Sequence, residues 1–466
     1  MKTKRSVSQA RALWAEFRQV RFGVLGLVML ALFVLIVLFQ PVLLSKADAA
    51  NRWRDMTYWL DNPRYALPVW VNWFTGRDYA VSKIIPASSV VDSTSGSLRM
   101  QTMEFPYEFK AGRPPSDFMF KVGVTGRVSL AMEIVRPDGR TVTYNKSTTS
   151  EGSQILRISV AQNMMDRVFA MASSAEDPAI AASRNPRQID SIAALFGKAQ
   201  PGILSTPEVL NGTYTLRLQA ALASPTAKID SAELVIAGGV QGLLGTDGSK
   251  RDLWSGLIAG TKWALIIGLL TSFISVAVGV LYGVAAGYFG GWVDSLMNRI
   301  FEIFVSIPLL PILIVMSAVF KPSIWIMIIM MCIFFWVGPV KTVRSIALQI
   351  KETSYIEAAH GLGASHWRIL FRHMVPQLIP YSFASMALAV PGAIVFEASI
   401  SLIGLGDATV VTWGQILFDA FSSGAVLQGI WWWVIPPGLA MAALGMTFAF
   451  IGFAMDTILN PRLKTR

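Results

Sequence analysis

The chain has little cysteine, little histidine and little charge. Its 466 residues include one cysteine, Cys332, and three histidines, His360, His366 and His373. A single cysteine excludes an intramolecular disulfide, and no Cys/His spacing typical of a zinc site occurs. Charged residues make up 15% of the chain and apolar residues 53%, whereas soluble domains average about 25% charged residues. This composition excludes a disordered or collagen-like chain and favours a membrane protein.

The sequence also lacks the motifs and the charge clusters of several functional classes. The chain has no phosphate-binding G-x-x-x-x-G-K-[ST] loop and no H-E-x-x-H metalloprotease motif. The net charge of +11 divides into +5 for residues 1–45, +3 for 46–252 and +3 for 253–466. No stretch is basic enough to indicate a nucleic-acid-binding domain. The three histidines are predicted to stay apart and to form no metal site.

Long runs without Asp, Glu, Lys or Arg predict the membrane spans. Crossing the bilayer takes roughly 20 helical residues. Six such spans are expected, one near the N-terminus and five in the C-terminal half, within the runs 22–45, 263–293, 303–320, 322–340, 374–396 and 420–455. The first run is too long for a secretory signal, so we interpret it as a retained anchor. The tryptophans at 431–433 predict where the last span meets the interface.

Basic residues at the span ends predict the orientation. The leader contains Lys2, Lys4, Arg5 and Arg11, the loop between the fourth and fifth predicted spans is basic, and the C-terminus ends on Arg466. Because short cytoplasmic segments are enriched in Lys and Arg, all three are expected on the cytoplasmic side of a cell (inner) membrane. Residues 46–252 are therefore expected outside the cytoplasm.

The sequence divides into three segments. Residues 1–45 are a cytoplasmic leader and the first transmembrane helix, 46–252 an inserted extracytoplasmic domain, and 253–466 a five-helix membrane core. Alternating apolar residues and a Pro137-Asp138-Gly139 turn predict β-strands in the insertion, with a hairpin around that turn and a second strand pair at 212–219 and 232–238. Residues 161–174 predict a helix. The fold class is an all-α polytopic membrane domain carrying a β-rich insertion, a sandwich by our interpretation.

The cytoplasmic loop 341–376 contains the most informative motif. Ser354 and Glu357 have the spacing of a capping box, Gly361 and Gly363 are expected to end the helix that begins there, and Ser365 can cap a second helix that Pro376 closes. The predicted product is an exposed helix–turn–helix elbow. From the residues alone, a simple interfacial connector explains it as well.

The same loop resembles the EAA signature of ABC-importer permeases, E-A-A-x-x-x-G followed by a terminal proline. Glu357, Ala358 and Ala359 match, Gly363 has the expected spacing, and Pro376 matches the final proline. His373 and Val375 stand where Ile and Leu are usual, and the R-H-x-x-P ending is similar to the dipeptide/oligopeptide/nickel branch.

Other stretches resemble the same branch. These are G-T-D at 245–247 before Arg251-Asp252, with Lys250 where glycine is usual, AGYFGGWVD at 286–294, EASISLIGLG at 397–406, Trp413-Gly414 and Asn460-Pro461-Arg462. The resemblance covers residues 245–466 closely. The family's first outer loop is short, so residues 46–244 depart from it.

The resemblance implies a type I ABC-importer permease fold and a non-enzymatic subunit. Peptides are the expected solute, and nickel or another small solute is the alternative. The implied partners are a second homologous permease, two ATP-binding subunits that use ATP and Mg²⁺, and an extracytoplasmic solute-binding protein; this chain itself holds no cofactor. Residues 354–363 would be the coupling helix. A membrane-anchored receptor and an ion-driven carrier are rivals that the clustered spans and the scarcity of membrane carboxylates disfavour. Glu397, late in the fifth span, is a weak candidate for contacting substrate.

Overall fold

The structure is a computed structural model that describes residues 14–46, 48–74, 76, 78–95, 98–149, 151–157, 159 and 161–459. The basic residues of the leader from Lys2 to Arg11 and the closing residues 460–466 lie outside the described residues, so the predicted orientation stays a prediction. The chain forms two compact units, one of Asp55–Leu253 and one of the residues up to Arg54 and from Trp254 onward. We call them the β unit and the membrane unit.

Sixteen α-helices are defined in the part of the chain that the structure describes. In chain order they are α1 Arg21–Leu38, α2 Gln40–Leu43, α3 Val71–Phe74, α4 Gln162–Ser173, α5 Pro178–Ser183, α6 Ser191–Leu195, α7 Leu253–Phe289, α8 Gly291–Ser306, α9 Leu309–Val319, α10 Ile324–Phe335, α11 Val337–Lys351, α12 Ser354–Gly361, α13 His366–Ile369, α14 Val375–Leu402, α15 Trp413–Ser422 and α16 Trp431–Leu459. A 3₁₀ turn covers Pro186–Gln188, and a π-helical turn covers Leu370–Met374 between α13 and α14.

Nine β-strands are described, all of them in the β unit. They are β1 Lys83–Pro86, β2 Ser89–Ser95, β3 Leu98–Phe109, β4 Asp117–Thr125, β5 Val128–Val135, β6 Thr141–Thr149, β7 Gly152–Arg157, β8 Gly212–Leu222 and β9 Lys228–Ala237. Four strands form one antiparallel sheet in the order β1-β9-β4-β7, and five form another in the order β2-β3-β8-β5-β6. The β-rich character of this region is confirmed.

The two sheets share one apolar core. Phe105 of the five-stranded sheet meets Phe120 of the four-stranded sheet with ring centroids 5.2 Å apart, and both are fully buried. Alternate residues along β5 are buried, as expected for a strand that places one face on a core. The helix predicted for residues 161–174 is present as α4, between β7 and β8.

The strand pairing differs from the prediction at one place. The hairpin around Pro137-Asp138-Gly139 forms from β5 and β6, with Gly139 at φ +79°. The predicted second pair does not form, because β8 joins the five-stranded sheet and β9 the four-stranded sheet. Both strands are apolar on the face toward the shared core, so their alternation fits either sheet and does not reveal the crossover.

Among its described residues, the membrane unit contains five helices that are long and apolar enough to cross a bilayer. They are α1, α7, α10 continuing into α11, α13 continuing into α14, and α16. A sixth candidate is the pair α8 and α9, bent by 73°. The helix is broken inside the run 303–320 where a span was predicted: α8 ends at Ser306, because Pro308 disfavours helical backbone at Ile307, where ψ is 121°. The described helices fit a multi-pass membrane protein.

Close helix packing in this unit depends on a glycine stripe. A side chain at Gly279 or Gly283 of α7 would meet the backbone of α11 and the residue before it, with a Cβ 2.4 Å from the Trp336 carbonyl oxygen or 2.8 Å from that of Val340. Glycine four residues apart is a known way for membrane helices to approach closely. The last helix, α16, packs against α1 and α14.

Candidate functional site: the elbow of residues 354–376

The N-cap of the first helix of the elbow lies one residue earlier than the capping-box motif predicts. Helix α12 starts at Ser354, but its N-cap is Thr353, which makes no side-chain cap bond. The Thr353 hydroxyl instead donates to the carbonyl of Ile350 at 2.6 Å. Glu357 therefore lies at the fourth helical position, one too late for the reciprocal bond of a capping box. The predicted capping box is wrong, although the predicted helix start is right.

The end of α12 is a glycine-terminated turn, as the sequence predicts. Helical residues stop at Gly361, and Gly363 adopts the left-handed conformation at φ +79°. The N–H of Ala364 donates to the carbonyl of Ala359 at 3.1 Å, and that of Gly363 to His360 at 2.9 Å. This pair of bonds is the Schellman motif, which needs a residue that tolerates positive φ. Gly363 thus fixes the direction in which the chain leaves the helix.

Two isoleucines fasten the elbow to the membrane unit. Ile356 of α12 and Ile369 of α13 are buried, with 4% and 0% of their surface exposed. They belong to one core cluster with Val284 of α7 and Val343 and Ala347 of α11. Because interiors are close-packed, a force applied to α12 is transmitted to these spans.

The opposite side of the elbow faces solvent. Glu357 and Ala358 are exposed, Ala359 is half-buried, and Gly361 and Gly363 have open space where a side chain would stand. Larger apolar residues are exposed beside them: Leu362 at 89%, Trp367 at 65% and Phe371 at 52%. Exposed apolar side chains next to small residues favour a contact surface over a solvated connector.

The second half of the elbow continues without a break into α14. Pro376 does not close a helix, contrary to the prediction, because α13, the π-helical turn and α14 form one continuous rod. Proline supplies no N–H and its ring clashes with the carbonyl four residues earlier. Inserting a π turn at Leu370–Met374, immediately before Pro376, is a known way to accommodate such a break in the hydrogen-bond ladder. Pro376 itself is exposed.

Two of the three histidines come closer than predicted. The rings of His360 and His366 have centroids 5.9 Å apart, so the expectation that the histidines stay apart is wrong for this pair. His366 Nδ1 is 2.7 Å from the Tyr288 hydroxyl, and His373 Nδ1 is 2.5 Å from that of Tyr355. Throughout the described ranges, no group of three or more His, Cys, Asp or Glu is arranged to hold a metal. A cavity of about 380 Å³ lies between His360, His366 and Glu357.

Glu397 is buried and holds two helices together through hydrogen bonds. It is buried, with 4% exposed, and its Oε1 accepts hydrogen bonds from Ser401 and Thr412, each at 2.8 Å. Thr412 in turn caps α15 by accepting from the N–H of Gln415 at 3.1 Å. The carboxylate thus joins α14 to the start of α15, and this geometry gives no support to contact with substrate.

One ion pair beside the elbow escaped the sequence reasoning. Arg344 of α11 donates to Asp294 of α8, from Nε to Oδ1 at 2.6 Å and from Nη2 to Oδ2 at 2.5 Å. Both residues are in segments that the sequence singled out, the basic loop and AGYFGGWVD. No local signal pairs them, since fifty positions separate them along the chain.

Comparison with known proteins places this geometry in context. Residues 279–465 match the family described as "Binding-protein-dependent transport system inner membrane component". The dipeptide transport system permease protein DppC of Bacillus subtilis is 32% identical over 221 residues, 47% of this chain and 68% of the relative. The oligopeptide transport system permease protein OppC of Haemophilus influenzae is 32% identical over 219 residues, 47% of this chain and 70% of that one. A solved inward-facing MetNI methionine ABC transporter aligns with 45% of this chain and 97% of its own, at 19% identity and a TM-score of 0.36.

Proposed function

Because the chain belongs to the family of binding-protein-dependent transport-system inner membrane components, we propose that it is the permease subunit of an ATP-driven importer of dipeptides or oligopeptides. The chain supplies the membrane passage and is not itself an enzyme. Two relatives whose printed names refer to dipeptide and oligopeptide transport support the substrate class.

The elbow is the contact to a separate ATP-hydrolysing subunit. The observation that carries this proposal is its two-sidedness: Ile356 and Ile369 are buried in the membrane unit while Glu357 and Ala358 face solvent. In this proposal the docking surface consists of Glu357, Ala358, Ala359, Gly361 and Gly363, with Pro376 in the following helix.

Movement of the ATPase subunits then acts on the spans through a rigid lever. The Schellman turn at Gly363 fixes the angle between α12 and α13, and the shared core connects them to α7, α11 and α14. Rigid-body motion of packed elements is an established way to switch between two states. Here the two states are the inward-facing and outward-facing forms of the importer.

The assembled importer contains more chains than this one. In this proposal the partners are a second homologous permease, two ATP-binding subunits that use ATP and Mg²⁺, and an extracytoplasmic solute-binding protein. Both termini are cytoplasmic, and the β unit is extracytoplasmic, where it contacts the binding protein. Deleting residues 60–240 should then weaken binding-protein docking to the complex, and an unaltered affinity would count against this role.

Reconstitution of the complete importer in proteoliposomes tests the coupling proposal. The test variant is Gly363→Val, because a β-branched residue at φ +79° costs about 1–2 kcal/mol and displaces the turn. We expect trialanine taken up per ATP hydrolysed to fall about tenfold. Glu357→Lys, which reverses the charge of the exposed face, should uncouple uptake from hydrolysis in the same way.

Gly438→Ala is the matched control, since Gly438 lies in α16 with open space around its Cβ position and no positive φ. It should transport as the unchanged protein does. Normal uptake per ATP in both Gly363→Val and Glu357→Lys would contradict the assignment of the elbow.

A further inference from the structure

Apart from the elbow, the membrane unit contains a cavity that could bind a ligand. It has a volume of about 590 Å³ and lies between α7, the α10–α11 junction, α14 and the end of α16. Its walls are mostly apolar, including Phe334, Phe335 and Leu388. Its volume falls in the range of about 300–1,000 Å³ that is typical of small-molecule sites.

Buried hydroxyls of α7 open into this cavity. Ser272 and Ser275 both line it, and only 1% and 3% of their surface is exposed. Across the described residues the Ser272 hydroxyl has no hydrogen-bond partner, and that of Ser275 has only the weakly bonding Cys332 thiol beside it.

Most of the other hydroxyls described in these helices bond within their own helix, with Thr271 of α7 as an exception. Each of the following donates to the carbonyl four residues earlier: Thr261, Ser382, Ser399, Thr447 and Thr457. Back-bonding of this kind is the usual arrangement for Ser and Thr in membrane helices. A buried polar group without a partner is costly, and the cavity beside Ser272 and Ser275 has room for a ligand that would bond their hydroxyls.

A carboxylate opens into the same cavity. Asp456 lies near the end of α16 and lines the cavity with Tyr381 and Ser385. It is exposed in the last turn of α16 and forms no ion pair with any described residue, so its charge is accessible to a cationic group of a ligand. The sequence reasoning missed Asp456 because it bounds the last uncharged run rather than interrupting it.

We propose that this cavity binds the peptide in transit, with Asp456 pairing with its amino-terminal ammonium group and Ser272 and Ser275 bonding its main-chain amides. A hydroxyl both donates and accepts, so it can bond peptide groups whatever the sequence of the peptide. The apolar walls receive the side chains without selecting among them. The ligand class is therefore a short peptide with a free amino group, and the inference rests on the proposed function.

The test uses the complete importer with its binding protein in proteoliposomes and radiolabelled trialanine as the probe. Asp456→Asn should lower the uptake rate about tenfold, because a hydrogen bond to a charged group is lost, while Asp456→Glu should retain more than half. Ser272→Ala should lower the rate about threefold.

Ser399→Ala is the matched control for Ser272→Ala, because Ser399 is an exposed hydroxyl that bonds its own helix. It should leave uptake unchanged. In every variant, ATP hydrolysis stimulated by the binding protein should stay within about twofold of the unchanged complex, because the substituted residues lie outside the elbow.

The possible results distinguish a wrong binding site from a wrong proposed function. If the unchanged complex imports trialanine and both Asp456→Asn and Ser272→Ala import it equally well, the site is wrong and the proposed function stands. Equal losses in Asp456→Asn and Asp456→Glu, with full uptake in Ser272→Ala, would also overturn the site, since this pattern indicates a structural carboxylate. An assembled, unchanged complex that imports no peptide would instead overturn the proposed function.

Discussion

Arg344 and Asp294 join two helices of the membrane unit by a two-point ion pair. The guanidinium of Arg344 on α11 meets both carboxylate oxygens of Asp294 on α8, and their side chains are 30% and 17% exposed. Asp294 also accepts from the Asn298 amide at 2.9 Å, which fixes the carboxylate. Because α11 leads directly into the elbow, the pair holds the base of the proposed coupling lever.

Removing the Asp294 carboxylate should weaken the attachment of α11 to α8. Asp294→Ala leaves Arg344 without its partner, and a hydrogen bond to a charged group contributes about 1.5–3 kcal/mol. We expect a lower melting temperature of the purified chain in detergent and less uptake per ATP hydrolysed. Glu302→Gln on the same helix is the control, because the Arg299–Glu302 pair is 79% and 60% exposed. Such exposed pairs contribute about 0–1 kcal/mol, so equal effects of both changes would refute the clamp.

Replacing Lys250 by glycine should increase the stability of the protein. It has φ +67° and occupies the position where the resembling family usually has glycine. The turn is held by Asp247, whose Oδ2 accepts from Arg251 Nε at 2.5 Å. Left-handed backbone costs a side-chain-bearing residue about 1–2 kcal/mol. Against this, the Lys250 amine donates a single hydrogen bond within the described part of the chain, to the Leu60 carbonyl at 3.2 Å.

Lys250→Gly should therefore be more stable than Lys250→Ala, which loses the amine but keeps the unfavourable φ. We expect the difference in unfolding free energy to be about 1 kcal/mol, measured by thermal unfolding of the full chain. A Lys250→Gly variant no more stable than Lys250→Ala would contradict the backbone strain, and one less stable than the unchanged protein would show that the amine contact outweighs that strain.

Glu176 should make part of the stability of the β unit pH-dependent. Its carboxylate accepts from the N–H of Gly202 at 2.9 and 3.0 Å and of Leu204 at 3.1 Å. These backbone bonds, that of Gly202 first, lower the pKa of Glu176 from its usual 4.5. A lowered folded-state pKa contributes stability that is fully present above the unfolded value and is lost as pH falls through the folded value.

Comparing the unchanged protein with Glu176→Gln at several pH values checks this sign. The unchanged protein should melt higher at pH 7, and the gap should shrink as the pH falls below 4.5. Hydrogen exchange of residues 202–204 in the full chain should show the same trend. A gap that stays constant down to full protonation would contradict the role of the charge.

Glu397 should prove to be a stability residue and not a substrate contact. Glu397→Ala leaves the hydroxyls of Ser401 and Thr412 without their acceptor in a buried site, at a cost of about 1–3 kcal/mol. We expect a lower melting temperature and an unchanged order of preference among competing peptides. Altered preference with unchanged stability would restore the pathway role. Ser399→Ala again supplies a control with a self-satisfied hydroxyl on the same helix.

Local chemistry in the elbow was readable from the sequence, and tertiary chemistry was not. The glycines after α12 predicted its end correctly, because a left-handed turn depends on the residue that adopts it. The role of Pro376 was predicted wrongly, since proline can end a helix or be tolerated behind a π turn, and only packing of the following span decides between them. The buried cluster that contains Ile356 also contains Val284 of α7 and Val343 of α11, which are distant from it in the chain.

The β unit shows the same division. Alternation predicted the strands β8 and β9, and the turn residues predicted the β5–β6 hairpin. The crossing of β8 and β9 into different sheets was not, because alternation marks one apolar face without naming the sheet that covers it.

By itself the sequence determined which segments are suited to the membrane and which to water, the number of long apolar runs and the motif of the elbow. These features depend on composition and on neighbouring residues in the chain. Only the tertiary structure decided that α8 and α9 bend by 73°, that Arg344 reaches Asp294, and that Ser272 and Asp456 share one cavity. Each of these depends on residues brought together from distant positions, and the packing that brings them together leaves no periodic signal in the sequence.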